Sequence, residues 1–473
     1  MTLALPNPAL LARRLPLAAA AALLGAGLLA LPARAEAPSC SPAPAQPVDG
    51  RPTYELAQVW SGVRTEMGAA RAPNGQLLVA YYDAERWLTV AALDPARGQV
   101  CRLRLPSRFG GWDAHNDIAM ALAADGTVHI VGNLHGDKLF YAAGRADDLA
   151  SVKPMPMLGR DEERVTYPTF LRTPDNGLLF FYRNGASGHG TWLVNRWQGG
   201  RWQRGAEIFA GRDREGRLSA YPGFAMAPDG TLHVAIMWRR TGDVASNFAV
   251  SYARSRDFRR WEGFSAAPHE APVGPDDIDR VDSPGPNRGL VNNPRLVLTP
   301  EGQPVIFYPR QSEDGKDAVV AARPEGGRWV VKEIARSDRH TQVAGTGSMG
   351  RLPSVSAVAD GWTAGVIVGL PGQPPQRLQV DLRSLAPRPA ADGARMAATS
   401  RAPRGEAGIE LPPGLASARV GQQVVLQSGF DGPKQGRLSW YAQSSNRDRP
   451  RDCTPQAPAA CQPPPSPLRW TAP

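Results

Sequence analysis

The 473-residue sequence predicts an all-β chain, a β-propeller of four-stranded antiparallel blades with seven blades in all. Three observations carry that prediction. Gly (49) and Pro (46) together supply 95 residues that punctuate short β-rich runs, similar hairpins recur along the chain, and their spacing is that of one blade. The hairpins read PNGQLLVAYY at Gly75, ADGTVHIVGN at Gly126, PDNGLLFFYR at Gly177, PDGTLHVAIMW at Gly230, PEGQPVIFY at Gly302 and ADGWTAGVIV at Gly361. Successive glycines lie 51, 51, 53, 72 and 59 residues apart, against roughly fifty residues for a four-stranded blade. Each unit has a strand, a turn whose glycine supplies φ > 0, and a second apolar or alternating strand; a later strand often carries Trp, as at Trp202, Trp261 and Trp329. A large sandwich or a β-helix fits the composition but not this interval.

Taken from the N-terminus, Arg13 and Arg14 precede an apolar run from Leu15 to Leu31 and the small-residue pattern Ala33-Arg34-Ala35. That order predicts an export signal peptide over residues 1–35 and a periplasmic or secreted protein. The propeller is expected over 36–387, its seventh blade assembled from residues 36–60 with a strand near the C-terminus. The wide gap before Gly302 holds a polar, Pro-rich stretch from Pro268 to Gly289, expected as a loop over one face. Residues 388–418 read as a linker or surface excursion, and 419–445 as a C-terminal β segment able to close the propeller. The Pro-rich tail 446–473 is expected to be disordered. No segment after the leader approaches the ~20 apolar residues of a bilayer span, so no stable membrane insertion is expected. Export permits disulfides among Cys40, Cys101, Cys453 and Cys461, with Cys453 and Cys461 the local pair.

The formal net charge is +10, and loss of Arg13, Arg14 and Arg34 with the leader leaves +7. A basic exported protein meets nucleic acid, anionic lipid or a polyanionic glycan. The basic residues here are scattered among turns, with no Lys/Arg-rich block and no nucleic-acid motif, which favours an acidic polysaccharide or oligosaccharide as partner over nucleic acid.

A residue about ten positions before a hairpin turn and one six to nine positions after it share the end of the hairpin far from the turn. His115 lies eleven before Gly126 and His135 nine after it; Tyr167 lies ten before Gly177 and Arg183 six after it. Tyr221 lies nine before Gly230, with Trp238 and Arg239 eight and nine after; Asn293 lies nine before Gly302, with Tyr308 and Arg310 six and eight after. Radially arranged blades bring these ends to one mouth of the central channel, with Asn116 beside His115. Strand ends in any propeller are polar where they meet solvent, but His, Tyr, Arg and Asn recurring at the equivalent place in adjacent units favour a site. His129 and His233, each three after its glycine and inside a strand, read as structural. Asp117 is expected to orient His115 or to tie down a turn. SRDFRRW, from Ser255 to Trp261, resembles a degenerate Asp-box, a structural turn common in sugar-cleaving propellers. A glycosidase also needs two carboxylates across the scissile bond, and only Asp117 and Asp83 are acids near the expected mouth.

The segments DAHNDIAMALAADGTVHIVGNLH, VTYPTFLRTPDNGLLFFYRNGASGHG and AYPGFAMAPDGTLHVA, and more faintly LVNNPRLVLTPEGQPVIFY, resemble the BNR-repeat family that includes ulvan lyases and related polysaccharide lyases with a seven-bladed propeller. The resemblance implies cleavage of a uronate-containing polysaccharide by β-elimination. It implies His115 and Tyr167 for proton transfer, and His135, Arg183 and Tyr221 around the uronate carboxylate. Asn116, Asn293, Trp238, Arg239 and Arg310 are further substrate-binding candidates by position. No cofactor is expected. Some members resembling this pattern carry a structural metal held partly by Cys and His after the Tyr221 unit, but this chain has no Cys between Cys101 and Cys453, and His269 alone is a poor ligand set, so no metal is expected either. A glycan-binding propeller without turnover is the main alternative, because the same Arg, Tyr and Trp surfaces bind anionic sugars.

Overall fold

A computed structural model describes residues 37–265, 267–396, 408–426 and 434–473; the expected signal peptide over 1–35 lies outside them. The described chain is all-β, with two single-turn 3-10 helices, Leu149–Ser151 and Val244–Ser246, each capped by an aspartate side chain. Among the described residues no helix is long and apolar enough to cross a membrane.

The strands follow one another as antiparallel meanders. Gly68–Arg71, Leu77–Tyr82, Trp87–Asp94 and Gln99–Arg108 pair in chain order, and so do Arg295–Leu298, Pro304–Gln311, Asp317–Glu325 and Arg328–Arg336. The same order recurs from Ala119 to Pro154, from Val165 to Phe209, from Ser219 to Asp282 and from Ser354 to Pro389. Every glycine turn anticipated from the sequence falls between the first two strands of such a run. Gly75, Gly126, Gly230, Gly302 and Gly361 have positive φ; in the PDNG turn Asn176 takes that conformation instead.

Two expectations need correction. The tail is not uniformly disordered: Ser466–Thr471 is a strand that pairs with both Arg51–Val59 and Lys434–Gln443, so the two ends of the described chain share one sheet. Leu468 and Trp470 pack there against Tyr54, Leu56 and Trp440, burial enough to order a short strand inside a Pro-rich composition. The stretch from Pro268 to Gly289 is likewise more than a loop, since Asp279–Asp282 adds an outer strand to Asn247–Ser255. Disulfides join Cys453 to Cys461, the expected pair, and Cys40 to Cys101, which pins Ser39–Pro42 along Gln99–Arg108. The Asp-box-like turn is structural: Asp257 accepts the Arg259 and Arg260 amides at 2.9 and 2.8 Å beneath a buried Trp261.

Hydrophobic cores lie between successive sheets. One joins Phe181, Trp192 and Val194 to Val234, Ile236 and Trp238. Trp238 is therefore a core residue and not a ligand contact; neighbours on a strand face opposite ways, and Arg239 takes the other face. Neighbouring segments approach closely where Gly223 meets the Pro294 carbonyl, since a Cβ at Gly223 would stand 2.2 Å from that oxygen. Two buried histidines serve as repeated struts: His129 Nδ1 lies 2.7 Å from the Tyr141 hydroxyl and His233 Nδ1 2.7 Å from that of Tyr252. Burial lowers both imidazoles to about 4.

Two predictions follow from this packing. Gly223→Ala should lower stability by about 1–3 kcal/mol through overpacking, read as a fall in thermal midpoint; an unchanged midpoint contradicts the close approach. His129 and His233 stay neutral in the folded chain down to about 4, whereas the unfolded chain protonates them near 6.5. Stability is thus expected to fall as pH drops from 6.5 toward 4. His115, raised to about 9, gains stability between 9 and 6.5 and is level below that. A thermal midpoint that holds constant or rises between pH 6.5 and 5 would contradict the two neutral struts.

Candidate active site

Three neighbouring strands set the frame. His135, in His135–Asp137, is opposite Thr166, and Thr166 is opposite Arg183, so an imidazole, a threonine and a guanidinium stand in one row across the sheet. The ladder breaks beside this row. Between Thr166 and Thr169 the register shifts, and Tyr167 sits at φ 56°, in the left-handed region that a bulky residue before proline avoids. Such a bulge re-aims a side chain, and local strain of this kind costs on the order of 1–3 kcal/mol and collects at functional positions. A second register shift follows His135.

His115 reaches the same place from the loop before Ala119–Leu122. Its ring stacks on that of His135, with centroids 4.1 Å apart, and lies 6.0 Å from the ring of Tyr167. Asp113 links the two imidazoles: one carboxylate oxygen is 2.9 Å from His115 Nδ1 and the other is hydrogen-bonded to His135 Nδ1. Burial opposes ionisation of Asp113, but the hydrogen bonds from both histidines hold its carboxyl well below the usual range. Burial likewise disfavours a charged His115, yet the carboxylates of Asp113 and Asp448 override it and raise the imidazole to about 9. Asp113, not Asp117, orients His115; Asp117 ties down a turn by accepting the Glu66 amide at 2.6 Å.

Arg183 is 1% exposed, and its Nε and Nη1 have no hydrogen-bond partner among the described residues. Its guanidinium lies 4.9 Å from the ring centroid of Tyr167 and 5.5 Å from that of Tyr221. Burial, and then the neighbouring Tyr221, raise the Tyr167 hydroxyl well above its ordinary value. Tyr221 behaves oppositely: burial raises it, but Arg239 and Arg183 outweigh burial and bring it below the ordinary phenol value. Its hydroxyl donates to Ser187 at 2.8 Å and accepts from Arg239 at 3.1 Å.

A cavity of about 500 Å³ opens over this cluster, lined by His115, His135, Tyr167 and Arg183 together with Arg164, Ser187, Arg239, Asn292, Ser348 and Asp448. A larger one, about 640 Å³, lies elsewhere among Asp83, Glu85, Arg102 and Arg104. There Arg104 bridges Asp83 and Glu85, while Arg102 donates to the Leu56 carbonyl and the Ser41 hydroxyl.

The structure thus brings His115, His135, Tyr167 and Arg183 together as the spacing predicted, and changes the standing of the other candidates. Tyr221 is in the cluster but lies beneath the cavity, presenting Ser187 in its place. Arg239 lines the cavity while bonded to Asn247 and Asn292. The asparagine that takes part is Asn292, not Asn293. Arg310 does not reach the cavity, because Asp282 holds it at 3.1 Å and also accepts the Tyr308 hydroxyl. Asn116 is buried in the turn beneath His115, where its carbonyl accepts the Tyr82 hydroxyl. Asp113, Ser187, Ser348 and Asp448 were missed. Asp113 stands two before His115 and Ser187 lies within the GASGHG turn, so both carried a local signal; Ser348 and Asp448 arrive from distant segments and carried none.

Asp113, His115 and His135 are the only group of three His, Cys, Asp or Glu side chains among the described residues whose donor atoms lie within 4.8 Å of one another. Both Nδ1 atoms face Asp113, so a metal using those nitrogens would have to replace the His–Asp contacts.

No curated protein matches the sequence. The crystal structure of polysaccharide lyase Uly1 superposes with a TM-score of 0.57 at 13% identity, over 88% of this chain and 92% of that one. A PL25 ulvan lyase gives 0.56 at 13% identity over 83% and 93%, and a PL25 ulvan lyase bound to -[GlcA(1-4)Rha3S]- gives 0.54 at 13% identity over 83% and 93%. At that identity the likeness is one of fold, which is propeller-like. The family model for BNR repeat-containing proteins matches residues 77–337, more than half the chain, a span holding four of the six recurrent hairpins and most of the cavity wall, and the chain belongs to that family.

Proposed function

We propose that this protein is an exported lyase that cleaves a uronate-containing polysaccharide by β-elimination, on a seven-bladed propeller whose last blade combines Arg51–Val59 with the C-terminal strands. Six meanders of four strands and the shared terminal sheet support the blade count. The leader sequence supports export.

One observation carries the chemistry. Arg183 is buried with two N–H-bearing nitrogens unpartnered, at the floor of a cavity whose wall holds His115, His135 and Tyr167. Leaving such donors without an acceptor is costly, and a planar carboxylate is the anion a guanidinium fork fits best. The uronate-containing ligand of the superposed ulvan lyase is in keeping with that choice.

Elimination removes the proton from C5, forms the C4–C5 double bond with that electron pair, breaks C4–O4 and delivers a proton to O4. A free carboxylate resists the negative charge that builds beside it when C5 is deprotonated. Arg183 offsets that charge from a fixed position in a site sheltered from water, and His135 adds a donor. His115, held as the imidazolium between Asp113 and Asp448, is suited to protonate O4. Tyr167, packed against the Arg183 guanidinium, takes the C5 proton in the minor fraction that has lost its own proton to solvent, a phenolate whose charge Arg183 offsets. Tyr221 and Arg239 act from below by fixing Ser187 and the floor of the cavity.

The test is a panel of acidic polysaccharides (ulvan, glucuronan, pectic, alginate and glycosaminoglycan types) monitored for ultraviolet absorbance of unsaturated product. At least one should yield it, with His115→Ala and Tyr167→Phe each lowering kcat about 100-fold or more. Binding without absorbance would make the chain a glycan-binding propeller, and reducing ends without absorbance a hydrolase. Arg183→Lys, which keeps the charge but loses the fork, should lower kcat/KM on the order of 100-fold. With His115 raised to about 9 and the Tyr167 hydroxyl held higher still, the imidazolium–phenolate pair is a minority form that grows with pH, so activity must rise up to about 9 and level off above it. A rise that levels off near pH 6.5 would remove His115 from that role.

A further inference from the structure

We infer that Asp448, carried by the segment between Lys434–Gln443 and Ser466–Thr471, is a positioning residue that holds His115 in its charged, oriented form. The segment lies more than 300 positions from His115 in sequence, yet its carboxylate is pinned at the imidazole from three sides. Asp448 Oδ2 is 3.4 Å from His115 Nδ1 and accepts the Ser348 amide at 2.9 Å, while Oδ1 accepts the Ala114 amide at 3.3 Å. Ser348 Oγ stands 3.2 Å from the same imidazole nitrogen.

The attachment looks built and not incidental. Ser348 belongs to a Gly-rich strap that is tied on one side to the loop at Asp243, whose carboxylate accepts the Gly345 amide at 2.7 Å. On its other side the Arg447 amide donates to the Ser348 carbonyl at 3.1 Å. Strap and C-terminal segment fit so closely that a Cβ at Gly347, where φ is +77°, would stand 2.8 Å from the Arg447 carbonyl and 3.1 Å from Asp448 Oδ2. Arg451 then bonds back to the Ser444 carbonyl at 2.6 Å, and the Cys453–Cys461 disulfide closes the following turn. Asp448 itself is mostly buried, with its side chain 14% exposed.

The physical consequence is a division of labour. Asp113 is shared between His115 and His135, so it neutralises a stacked pair of imidazoles with a single charge. Asp448 supplies the second charge, and it faces His115 alone. The remaining groups around the imidazole are Tyr167, neutral at physiological pH, and Asp117, which acts through its field. Without Asp448, the His115 imidazolium loses one of its two contacting carboxylates and its tether to the strap.

The experiment is a titration of histidine ring resonances by NMR on the full chain, His115 being identified by their loss in His115→Gln. Asp448→Asn should lower the His115 midpoint by about one pH unit or more, and Asp452→Asn, a nearby exposed acid, should leave it in place. In turnover, which rests on the lyase proposal, Asp448→Asn should lower kcat about 10-fold at neutral pH through the lost tether, with KM changed less than about 2-fold, and move the pH at which activity levels off down with the midpoint. Asp448→Ala should behave likewise and serves if the Asn variant does not fold. An unchanged midpoint in a folded Asp448 variant overturns the inference, and so does a lowered midpoint with unchanged kcat. The titration needs no substrate, so a protein inert toward every polysaccharide would refute the lyase proposal while the titration still decided the role of Asp448.

Discussion

A guanidinium buried without a counter-ion is the constraint around which the site is organised. Arg183 is almost wholly removed from water, and two of its nitrogens find no acceptor among the described residues. Burying charge in that way is tolerated only where neighbours compensate or where a ligand is to arrive. The aromatic faces of Tyr167 and Tyr221 give partial compensation, and the rest is left for an anion. The sheet then explains the geometry: His135 and Arg183 face Thr166 from its two sides, and the strained turn at Tyr167 brings the phenol out of the ladder into the same space.

Charge is arranged in opposition across that space. On one side two carboxylates, Asp113 and Asp448, keep His115 protonated; on the other two guanidiniums, Arg239 and Arg183, bring the Tyr221 hydroxyl below the ordinary phenol pKa despite its burial. Between them stands Tyr167, whose hydroxyl burial and the neighbouring Tyr221 hold above the ordinary phenol pKa. The arrangement resembles other acid–base sites in that neighbouring titratable groups are pushed apart by their surroundings and not by their own chemistry. Part of it depends on the end of the chain, because Asp448 lies between two strands of the sheet that also holds Arg51–Val59.

Much of this arrangement is legible in the amino-acid sequence. Recurrent glycine turns some fifty residues apart gave the meanders, and counting outward from each turn located His115, His135, Tyr167 and Arg183, because strand length and pleat fix where a residue emerges. The same counting failed where a one-residue offset matters. Trp238 and Arg239 are neighbours on one strand and face opposite ways, and the Asn292–Asn293 pair gives no pleat from which to choose between them. Arg310 sat at the right distance from its turn but met Asp282, a partner from a strand hidden in a Pro-rich stretch. Asp448 and Ser348 were beyond reach, since tertiary contacts across such separations leave no periodic trace. The ordering of the Pro-rich tail was missed for a related reason: Trp470 and Leu468 are stabilised by a sheet whose other half lies at the opposite end of the sequence.

The central claim is that Arg183 receives the carboxylate of a sugar acid while Tyr167 and His115 flank its ring. A crystal structure of Tyr167→Phe soaked with a 4-linked uronate oligosaccharide tests this most directly. The account predicts density for a carboxylate on the free Arg183 nitrogens, with C5 toward the Phe ring edge and O4 within hydrogen-bond reach of His115. A saccharide bound elsewhere, or one whose carboxylate points to solvent while Arg183 keeps its unpartnered nitrogens, would contradict it.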